Sequence, residues 1–288
     1  MTNIKAPIFI AAPRSRSTAL FSLAARAVEQ KYGLLPLGQN TEFFNEWSWR
    51  NFVQDDVTGH SNRAEYFPIN KQGGLSHHYV YPPILNNRAE RNNHKIQVLR
   101  HEKSQGRNYN VKIMAHNLFY RDQKKYRTSE DIIDFFSDRQ FVITRRKDIR
   151  GLALSLLVAT HTKLWHKRNS NENFYSDLYD DPITINTELC TVIRPDLEAL
   201  MRMDSLEDTL SQRKYDYKVL YYEDLATVDD MKKALDDVFQ TDKWRATITD
   251  EFIENSMPQN INLDYTKAIA NYDKISKKVD ILISDIFE

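Results

Sequence analysis

Residues 7 to 24 read Pro-Ile-Phe-Ile-Ala-Ala-Pro-Arg-Ser-Arg-Ser-Thr-Ala-Leu-Phe-Ser-Leu-Ala, and this stretch decides the fold. The apolar run at its start predicts a buried strand, and the apolar periodicity after Thr18 predicts a helix. A turn that enters a helix leaves backbone N–H groups of the first helical turn unpaired, next to the positive end of the helix dipole. Strand, turn and helix in this order therefore predict an anion site.

The side chains of the turn agree with that prediction. Ser15, Ser17 and Thr18 supply hydroxyl donors, and Arg14 and Arg16 supply positive charge. The usual nucleotide-binding loop reads Gly-x-x-x-x-Gly-Lys-Ser/Thr, and this turn has neither the glycines nor the lysine. We therefore expect a phosphate site unlike that of ordinary ATP- or GTP-binding loops. A turn that only caps the helix is the simpler alternative on this pattern alone.

A second segment repeats the arrangement. The apolar run 141–144 predicts another buried strand, and a helix is predicted from Ile149 onward. Arg145 and Arg146 lie between the two, and either guanidinium can bind phosphate oxygens bidentately. Ser155 lies among apolar residues of the helix, so its hydroxyl needs a partner. Alternatively, Ser155 bonds to its own helix and the arginines are solvated.

The first turn resembles the 5′-phosphosulfate loop of sulfotransferases that use 3′-phosphoadenosine 5′-phosphosulfate (PAPS). Bacterial and carbohydrate-acting members carry Pro-Arg-Ser/Thr-Gly-Ser-Thr, and the matching residues here are Pro13, Arg14, Ser15, Ser17 and Thr18. Arg16 replaces the family's glycine, which allows positive φ and close approach of the backbone to a phosphate. Either the turn differs from the family's, or the Arg16 guanidinium contacts the ligand itself.

The second segment is similar to the 3′-phosphate site of the same family, where an arginine at a strand end and a serine on the next helix bind the phosphate. The ten positions from Arg145 to Ser155 resemble the spacing of the bacterial trehalose 2-sulfotransferase branch. The resemblance implies PAPS as cofactor, adenosine 3′,5′-bisphosphate as product, and no metal. It also implies a phosphate contact for Lys267, in a segment similar to one that folds near the nucleotide; a surface lysine is the alternative. Residues 222–225, Tyr-Glu-Asp-Leu, resemble a segment expected to fix a strand exit.

The resemblance also suggests catalytic residues. Negative charge grows on the phosphate oxygens as the sulfur–oxygen bond breaks, and we expect Arg14 to stabilise that charge. The resemblance places Arg14 where the cytosolic branch has a lysine. Glu42, in Thr-Glu-Phe-Phe, resembles the base of the trehalose-acting branch, and His116 resembles the base of the cytosolic branch. The spacing of the second motif favours Glu42. A helix-start glutamate and a partly buried histidine are the structural alternatives.

Composition predicts a compact protein in a reducing compartment. The chain has 288 residues and equal numbers of basic and acidic side chains, 40 of each, so any attraction to nucleic acid or an anionic membrane has to be local. A single cysteine, Cys190, excludes an intrachain disulfide and a cysteine metal cluster. The single cysteine also favours an intracellular, reducing location, which we expect to be the cytoplasm. No run of eighteen apolar residues occurs, so we expect no membrane span.

The order of elements predicts an α/β fold with a central, mainly parallel sheet flanked by helices. The resemblance implies a sulfotransferase fold of the P-loop-containing nucleotide-hydrolase type. We expect a single domain over residues 1–288, with a polar insertion at about 45–110 and a lid or surface connection at about 161–193. The further predicted elements are strands at 111–114 and 218–222 and helices at 18–32, after Ser129, and around 231–239.

Together these features predict a PAPS-dependent sulfotransferase that acts on a hydroxyl of a carbohydrate or another small molecule. The alternatives are a nucleotide-dependent phosphotransferase on a similar scaffold and a non-catalytic binder of adenosine 3′,5′-bisphosphate or of phosphorylated ligands. The sequence leaves the acceptor open. It also leaves the oligomeric state open, with a homodimer among the options.

Overall fold

A computed structural model of the chain describes residues 7–32, 41–42, 111–122, 125–128, 130–162, 174–246, 248–257 and 263–287. Five of the described strands are β1 (Ile8–Ala11), β2 (Thr41–Glu42), β3 (Val111–Met114), β6 (Phe141–Arg145) and β7 (Tyr217–Tyr221). They form one parallel sheet in the order β2-β3-β1-β6-β7. A separate antiparallel pair consists of β4 (Phe119–Asp122) and β5 (Lys125–Thr128).

Helices occupy most of the remaining described residues. They are α1 (Ser17–Tyr32), α2 (Ala115–Leu118), α3 (Glu130–Phe135), α4 (Ile149–Thr162), α5 (Phe174–Asp180), α6 (Leu189–Gln212), α7 (Val228–Phe239), α8 (Asp250–Ser256), α9 (Tyr265–Ala268) and α10 (Tyr272–Phe287). Short 3-10 turns cover Tyr222–Asp224 and Lys243–Ala246. Among the described helices, none combines the length and the apolar character that a membrane crossing requires.

Helices pack against both faces of the sheet. Alternate residues of a strand face opposite sides, so the neighbours of β1 show which helices lie on each face. Ile8 and Ile10 belong to a buried cluster that includes apolar residues of α4, α6 and α10. Phe9 belongs to a second buried cluster, with apolar residues of α1 and α7. The predicted α/β class with a parallel sheet is confirmed.

The predicted elements match the observed ones closely where the hydrophobic pattern is simple. The strand predicted at 111–114 has those bounds, and α1 begins one residue before the predicted start at Thr18. The strand predicted at 218–222 begins and ends one residue earlier. Ser129 and the predicted insertion at 45–110 lie outside the described residues.

The sequence interpretation missed the longest described helix, α6. Its buried residues recur at helical spacing: Cys190, Ile193, Leu197, Leu200, Met203, Leu206 and Leu210. Pro195 lies inside the helix, and proline within such a pattern disfavours a helical interpretation. The described part of the stretch predicted as a lid or connection contains α5 and the start of α6, and Leu178 and Ile185 within it are buried in the core. A lid role for it stays a prediction.

Candidate functional site

The turn between β1 and α1 lies at the carboxyl edge of the sheet and has an unusual backbone. Arg14 and Arg16 have φ angles of 57° and 58°, with Ser15 between them. Left-handed residues alternating with others turn backbone N–H groups into one concavity, which is the geometry of an anion-binding nest. Two residues of the turn are thus left-handed, and the binding of an anion there stays a prediction.

The Ser15 side chain holds the turn in place. Its hydroxyl donates to the carbonyl oxygen of Ala12 at 2.6 Å, and it lies 2.9 Å from the Thr144 hydroxyl at the end of β6. Because a hydroxyl has one proton, Thr144 is then the donor to Ser15. Ser15 and Thr144 are both fully buried, so their hydrogen bond ties the turn to the end of β6.

Arg16 has a left-handed backbone conformation, which glycine adopts more readily than other residues. Its buried guanidinium donates to the carbonyl oxygen of Leu225 and lies 4.4 Å from the centre of the Tyr222 ring. A left-handed conformation costs a non-glycine residue about 1 to 2 kcal/mol. The buried hydrogen bond and the contact with the aromatic ring offset that cost. Arg16 thereby joins the turn to the exit of β7.

The left-handed conformation of Arg16 leads to a prediction about folding stability. We expect Arg16→Gly and Arg16→Ala both to lower the free energy of unfolding by about 1 to 3 kcal/mol, because the Leu225 carbonyl loses its donor. The glycine variant should remain the more stable of the two by about 1 kcal/mol, since glycine adopts positive φ without strain. Urea denaturation of the three proteins measures both differences.

Lys214 provides the matched control for that comparison. It is exposed and has a φ of 57°, so it shares the backbone conformation and not the burial. Lys214→Gly should be more stable than Lys214→Ala by a similar amount, about 1 kcal/mol. Equal stability of the two Arg16 variants, with a difference at Lys214, would contradict a left-handed Arg16.

The two phosphate-type motifs meet in the structure. The Arg14 Nε donates to the Ser155 Oγ at 2.9 Å, although the two residues are 141 positions apart in the chain. Ser155 lies in α4 and is 8% exposed, so the partner that its buried hydroxyl needs is a cation from the first motif. One guanidinium and one hydroxyl from different elements thus lie together at the edge of the sheet.

The neighbouring arginines after β6 have different environments. Arg145 donates to Asp204 at 2.5 Å and to Glu207 at 2.6 Å, both on α6. Burial by itself would lower the pKa of Arg145, but these hydrogen bonds and the two negative charges raise it above its ordinary value. Its charge is compensated within the protein.

Arg146 is much less compensated. Its side chain is 11% exposed, and the nearest described carboxylate oxygen, on Asp148, is 3.8 Å from it. Its guanidinium lies 4.4 Å from the centre of the Tyr222 ring. Its buried Nε has no hydrogen-bond partner among the described residues. A buried cation with an unused donor is suited to bind an anion.

The start of α4 is fixed by acceptors from two segments. The Asp148 carboxylate accepts from the Gly151 N–H at 2.8 Å, which caps the helix. The Glu223 carboxylate accepts from the N–H groups of Lys147 and Asp148 at 3.0 and 3.1 Å. The Tyr-Glu-Asp-Leu segment thus ties the exit of β7 to the start of α4, the structural role that the sequence predicts.

His116 lies in α2, directly after β3, and contacts a carboxylate that the sequence analysis missed. Its Nδ1 is 2.6 Å from the Oδ1 of Asp196 on α6, and the two side chains are 35% and 16% exposed. Glu42, the other predicted base, ends the edge strand β2 and pairs in register with Lys112. The Glu42 side chain lies outside what the structure describes.

Lys112 is a further residue of the site that sequence reasoning missed. It is buried in β3, and its Nζ lies 3.4 Å from the hydroxyl of Thr18 in the first turn of α1. A positive charge from a neighbouring strand therefore lies beside the two arginines of the turn. The sequence could have indicated this residue, because a lysine within an apolar strand is rarely buried unless its charge has a partner or a function. No comparable signal marked Asp196, because a carboxylate on a helix is usually a solvated charge.

Lys267, the last predicted phosphate contact, is an exposed lysine. Its side chain is 71% exposed, and its Nζ lies 3.5 Å from the Asp264 carboxylate. Its segment nevertheless packs beside α4, where the Tyr265 hydroxyl donates to the Gly151 carbonyl oxygen at 3.4 Å. A phosphate contact for Lys267 stays a prediction.

The part of the chain that the structure describes has no group of three or more His, Cys, Asp or Glu side chains that could hold a metal ion.

In comparisons with known proteins, no family model, no curated protein and no solved structure matches this chain. The interpretation of the site therefore depends on the residues and contacts described above.

Proposed function

We propose that the protein is a PAPS-dependent sulfotransferase that transfers a sulfuryl group to a hydroxyl of a carbohydrate or another small molecule. The observation that carries the proposal is the hydrogen bond between Arg14 and Ser155. Each residue belongs to a motif that resembles one phosphate site of the family, and a PAPS molecule needs both sites within the span of one nucleotide. Helices on both sides of a parallel sheet are consistent with the P-loop-like sulfotransferase fold.

The phosphosulfate end of PAPS would bind at the turn after β1. The positive φ angles of Arg14 and Arg16 support a concavity of N–H groups there, at the positive end of α1. Ser17 and Thr18 begin that helix, and the buried Lys112 adds charge 3.4 Å from the Thr18 hydroxyl. These groups favour a ligand with clustered negative charge.

The 3′-phosphate would bind between β6 and α4. Two carboxylates already neutralise Arg145, whereas Arg146 is weakly paired and has an unused buried donor. We therefore assign the phosphate contact to Arg146, together with Ser155 and the first turn of α4.

The proposed reaction moves a sulfuryl group between two oxygens. The bond from sulfur to the phosphate oxygen breaks, the electron pair stays on that oxygen, and a bond forms from sulfur to the acceptor oxygen. The acceptor hydroxyl loses its proton to a base. We propose His116 for this base, because it follows β3, the strand next to β1, whereas Glu42 ends the edge strand β2. The sequence favoured Glu42, which remains the competing candidate.

Ligand binding tests the nucleotide assignment. We expect adenosine 3′,5′-bisphosphate to bind much more tightly than AMP, because only the bisphosphate has a 3′-phosphate for Arg146 and Ser155. Ser155→Ala should remove about 1 to 3 kcal/mol of that preference, the cost of a lost hydrogen bond to a charged group. Isothermal titration calorimetry with both nucleotides measures the preference in the wild type and in the variant.

Ser205→Ala is the control for that titration, because Ser205 is an exposed serine on α6. Equal affinity of the wild type for AMP and the bisphosphate would contradict the proposal. A thermal-shift screen adds the alternatives, since a ligand stabilises by RT ln(1 + [L]/Kd). Stabilisation by ATP or GTP in place of the bisphosphate would indicate a phosphotransferase. Bisphosphate binding without sulfuryl transfer to any sugar tested would indicate a non-catalytic binder.

A further inference from the structure

One aromatic ring contacts an arginine from each of the two arginine-containing motifs. The guanidinium carbons of Arg16 and Arg146 both lie 4.4 Å from the centre of the Tyr222 ring. Arg16 belongs to the turn after β1, Arg146 follows β6, and Tyr222 follows β7, the next strand of the sheet. The Tyr222 ring therefore joins the carboxyl ends of three adjacent strands.

Hydrogen bonds tie the segment that carries this ring to both motifs. The carbonyl oxygen of Leu225, three residues after Tyr222, accepts from the Arg16 guanidinium. The Glu223 carboxylate accepts from two backbone N–H groups directly after Arg146, at 3.0 and 3.1 Å. The position of the ring between the two arginines is thus supported by the backbone on either side.

Two largely buried cations share the ring. An arginine over an aromatic face is attracted by the negative charge of the π system, more strongly where water is excluded. Arg16 and Arg146 are both largely buried. Because both guanidinium carbons lie 4.4 Å from one point, they are no more than about 9 Å apart, a distance at which like charges repel. An aliphatic side chain in place of Tyr222 would remove the attraction and leave the repulsion.

We propose that Tyr222 is a positioning residue for both phosphate sites. Its ring holds Arg146 in place for the 3′-phosphate and, through Arg16, holds the left-handed turn for the phosphosulfate end. This inference rests on the proposed function, in which those two groups of PAPS bind at the two motifs. Tyr222 acts through the arginines, so the ring is required and its hydroxyl is not.

Calorimetry with adenosine 3′-monophosphate, AMP and adenosine 3′,5′-bisphosphate tests both sites. Tyr222→Leu should raise the Kd of the bisphosphate about 10- to 30-fold, the equivalent of one contact between a buried cation and a ring. It should weaken both monophosphates, whereas Arg146→Ala should weaken only the ligands that carry a 3′-phosphate. Tyr222→Phe keeps the ring and should stay within about threefold of the wild type.

Fluorinated phenylalanines at position 222 separate the charge of the ring from its shape. One, two or three ring fluorines change the size little, and each withdraws negative charge from the face that attracts the cations. Affinity for the bisphosphate should fall stepwise along this series, whereas a merely structural ring would leave it unchanged. The series answers the same question if Tyr222→Leu fails to fold.

Tyr221→Leu is the matched control for the substitution. The ring of Tyr221 lies 4.7 Å from the Nζ of Lys147, an exposed lysine. The same change at this neighbouring tyrosine therefore removes a contact with a solvated cation only. The Kd of the bisphosphate should stay within about threefold of the wild type.

A thermal cycle of double variants tests the ring contacts without any nucleotide. Tyr222→Leu should lower Tm by about 2 °C less in an Arg146→Ala background than in the wild type, because the contact is then already lost. The same is expected in an Arg16→Ala background. Additive changes of Tm in both backgrounds would overturn the inference.

The two proposals fail in distinguishable ways. A wild type that does not bind the bisphosphate would refute the proposed function and with it the role of Tyr222 in binding, while the thermal cycle would still show whether the ring holds the arginines. A wild type that binds the bisphosphate, with a Tyr222→Leu variant of equal affinity, would refute the positioning role alone. Equal affinity along the fluorinated series, or a Tyr222→Phe variant as weak as Tyr222→Leu, would also overturn it.

Discussion

The His116→Gln variant is expected to lose about 10² to 10⁴ in kcat while it binds adenosine 3′,5′-bisphosphate normally. Glutamine has a similar volume and still forms hydrogen bonds, but it cannot take up a proton at neutral pH. Loss of rate without loss of affinity would therefore indicate a missing base and an intact fold. The measurement is kcat with PAPS and an accepted sugar, together with a calorimetric titration of the bisphosphate.

Glu42→Gln provides the matched comparison, since it removes the other predicted base by the same kind of substitution. We expect it to lower kcat by less than His116→Gln does. The reason is that His116 follows β3, the strand beside β1, whereas Glu42 ends the edge strand β2, one strand further from the turn. A nearly normal His116→Gln with an inactive Glu42→Gln would reverse the assignment and restore the base that the sequence favoured.

Arg14→Ala is expected to lower kcat by about 10² to 10³, the usual loss when one donor to a developing charge is removed. The charge on the phosphate oxygen grows as the bond to sulfur breaks, so the guanidinium stabilises the transition state more than the ground state. The Kd of the bisphosphate should rise by a smaller factor than kcat falls. Single-turnover rates with PAPS isolate the chemical step.

Two further arginine variants serve as comparisons for Arg14→Ala. Arg14→Lys keeps the charge and loses the Nε donor to Ser155, so its rate should lie between those of the wild type and Arg14→Ala. Arg245→Ala removes an exposed arginine paired with Asp236 and should leave the rate unchanged. If single-turnover rates of Arg14→Ala stay within about threefold of the wild type, Arg14 is not the electrostatic catalyst.

The local pattern was sufficient for elements whose apolar residues follow one period. Val111–Met114 was predicted with its bounds, and Met231 to Phe239 repeats at the spacing that buries one face of α7. The pattern failed where another signal opposed it. Pro195 interrupts the sequence pattern of α6, yet the helix forms because its apolar face packs into the core against α4 and α10.

Within the candidate site, the sequence predicted which residues have the chemistry of phosphate binding and not which of them meet. Arg145 and Arg146 are adjacent and chemically identical, so nothing in the pattern separates them. Only the position of α6 does, because it brings Asp204 and Glu207 to Arg145 and leaves Arg146 weakly paired. The sequence likewise left the conformation of Arg16 open. In the structure its backbone is left-handed and its guanidinium donates to the Leu225 carbonyl oxygen.

The sequence by itself therefore determined the α/β class and the position of a turn rich in arginine and hydroxyl side chains between β1 and α1. Both follow from interactions among residues close in the chain: hydrophobic periodicity, helix starts and the polar residues between them. The tertiary structure alone decided that Arg14 reaches Ser155 and that Asp196 reaches His116. These contacts join residues 141 positions apart in the first case, and residues on separate helices in the second. Their geometry depends on how the sheet and α6 pack, which no local pattern specifies.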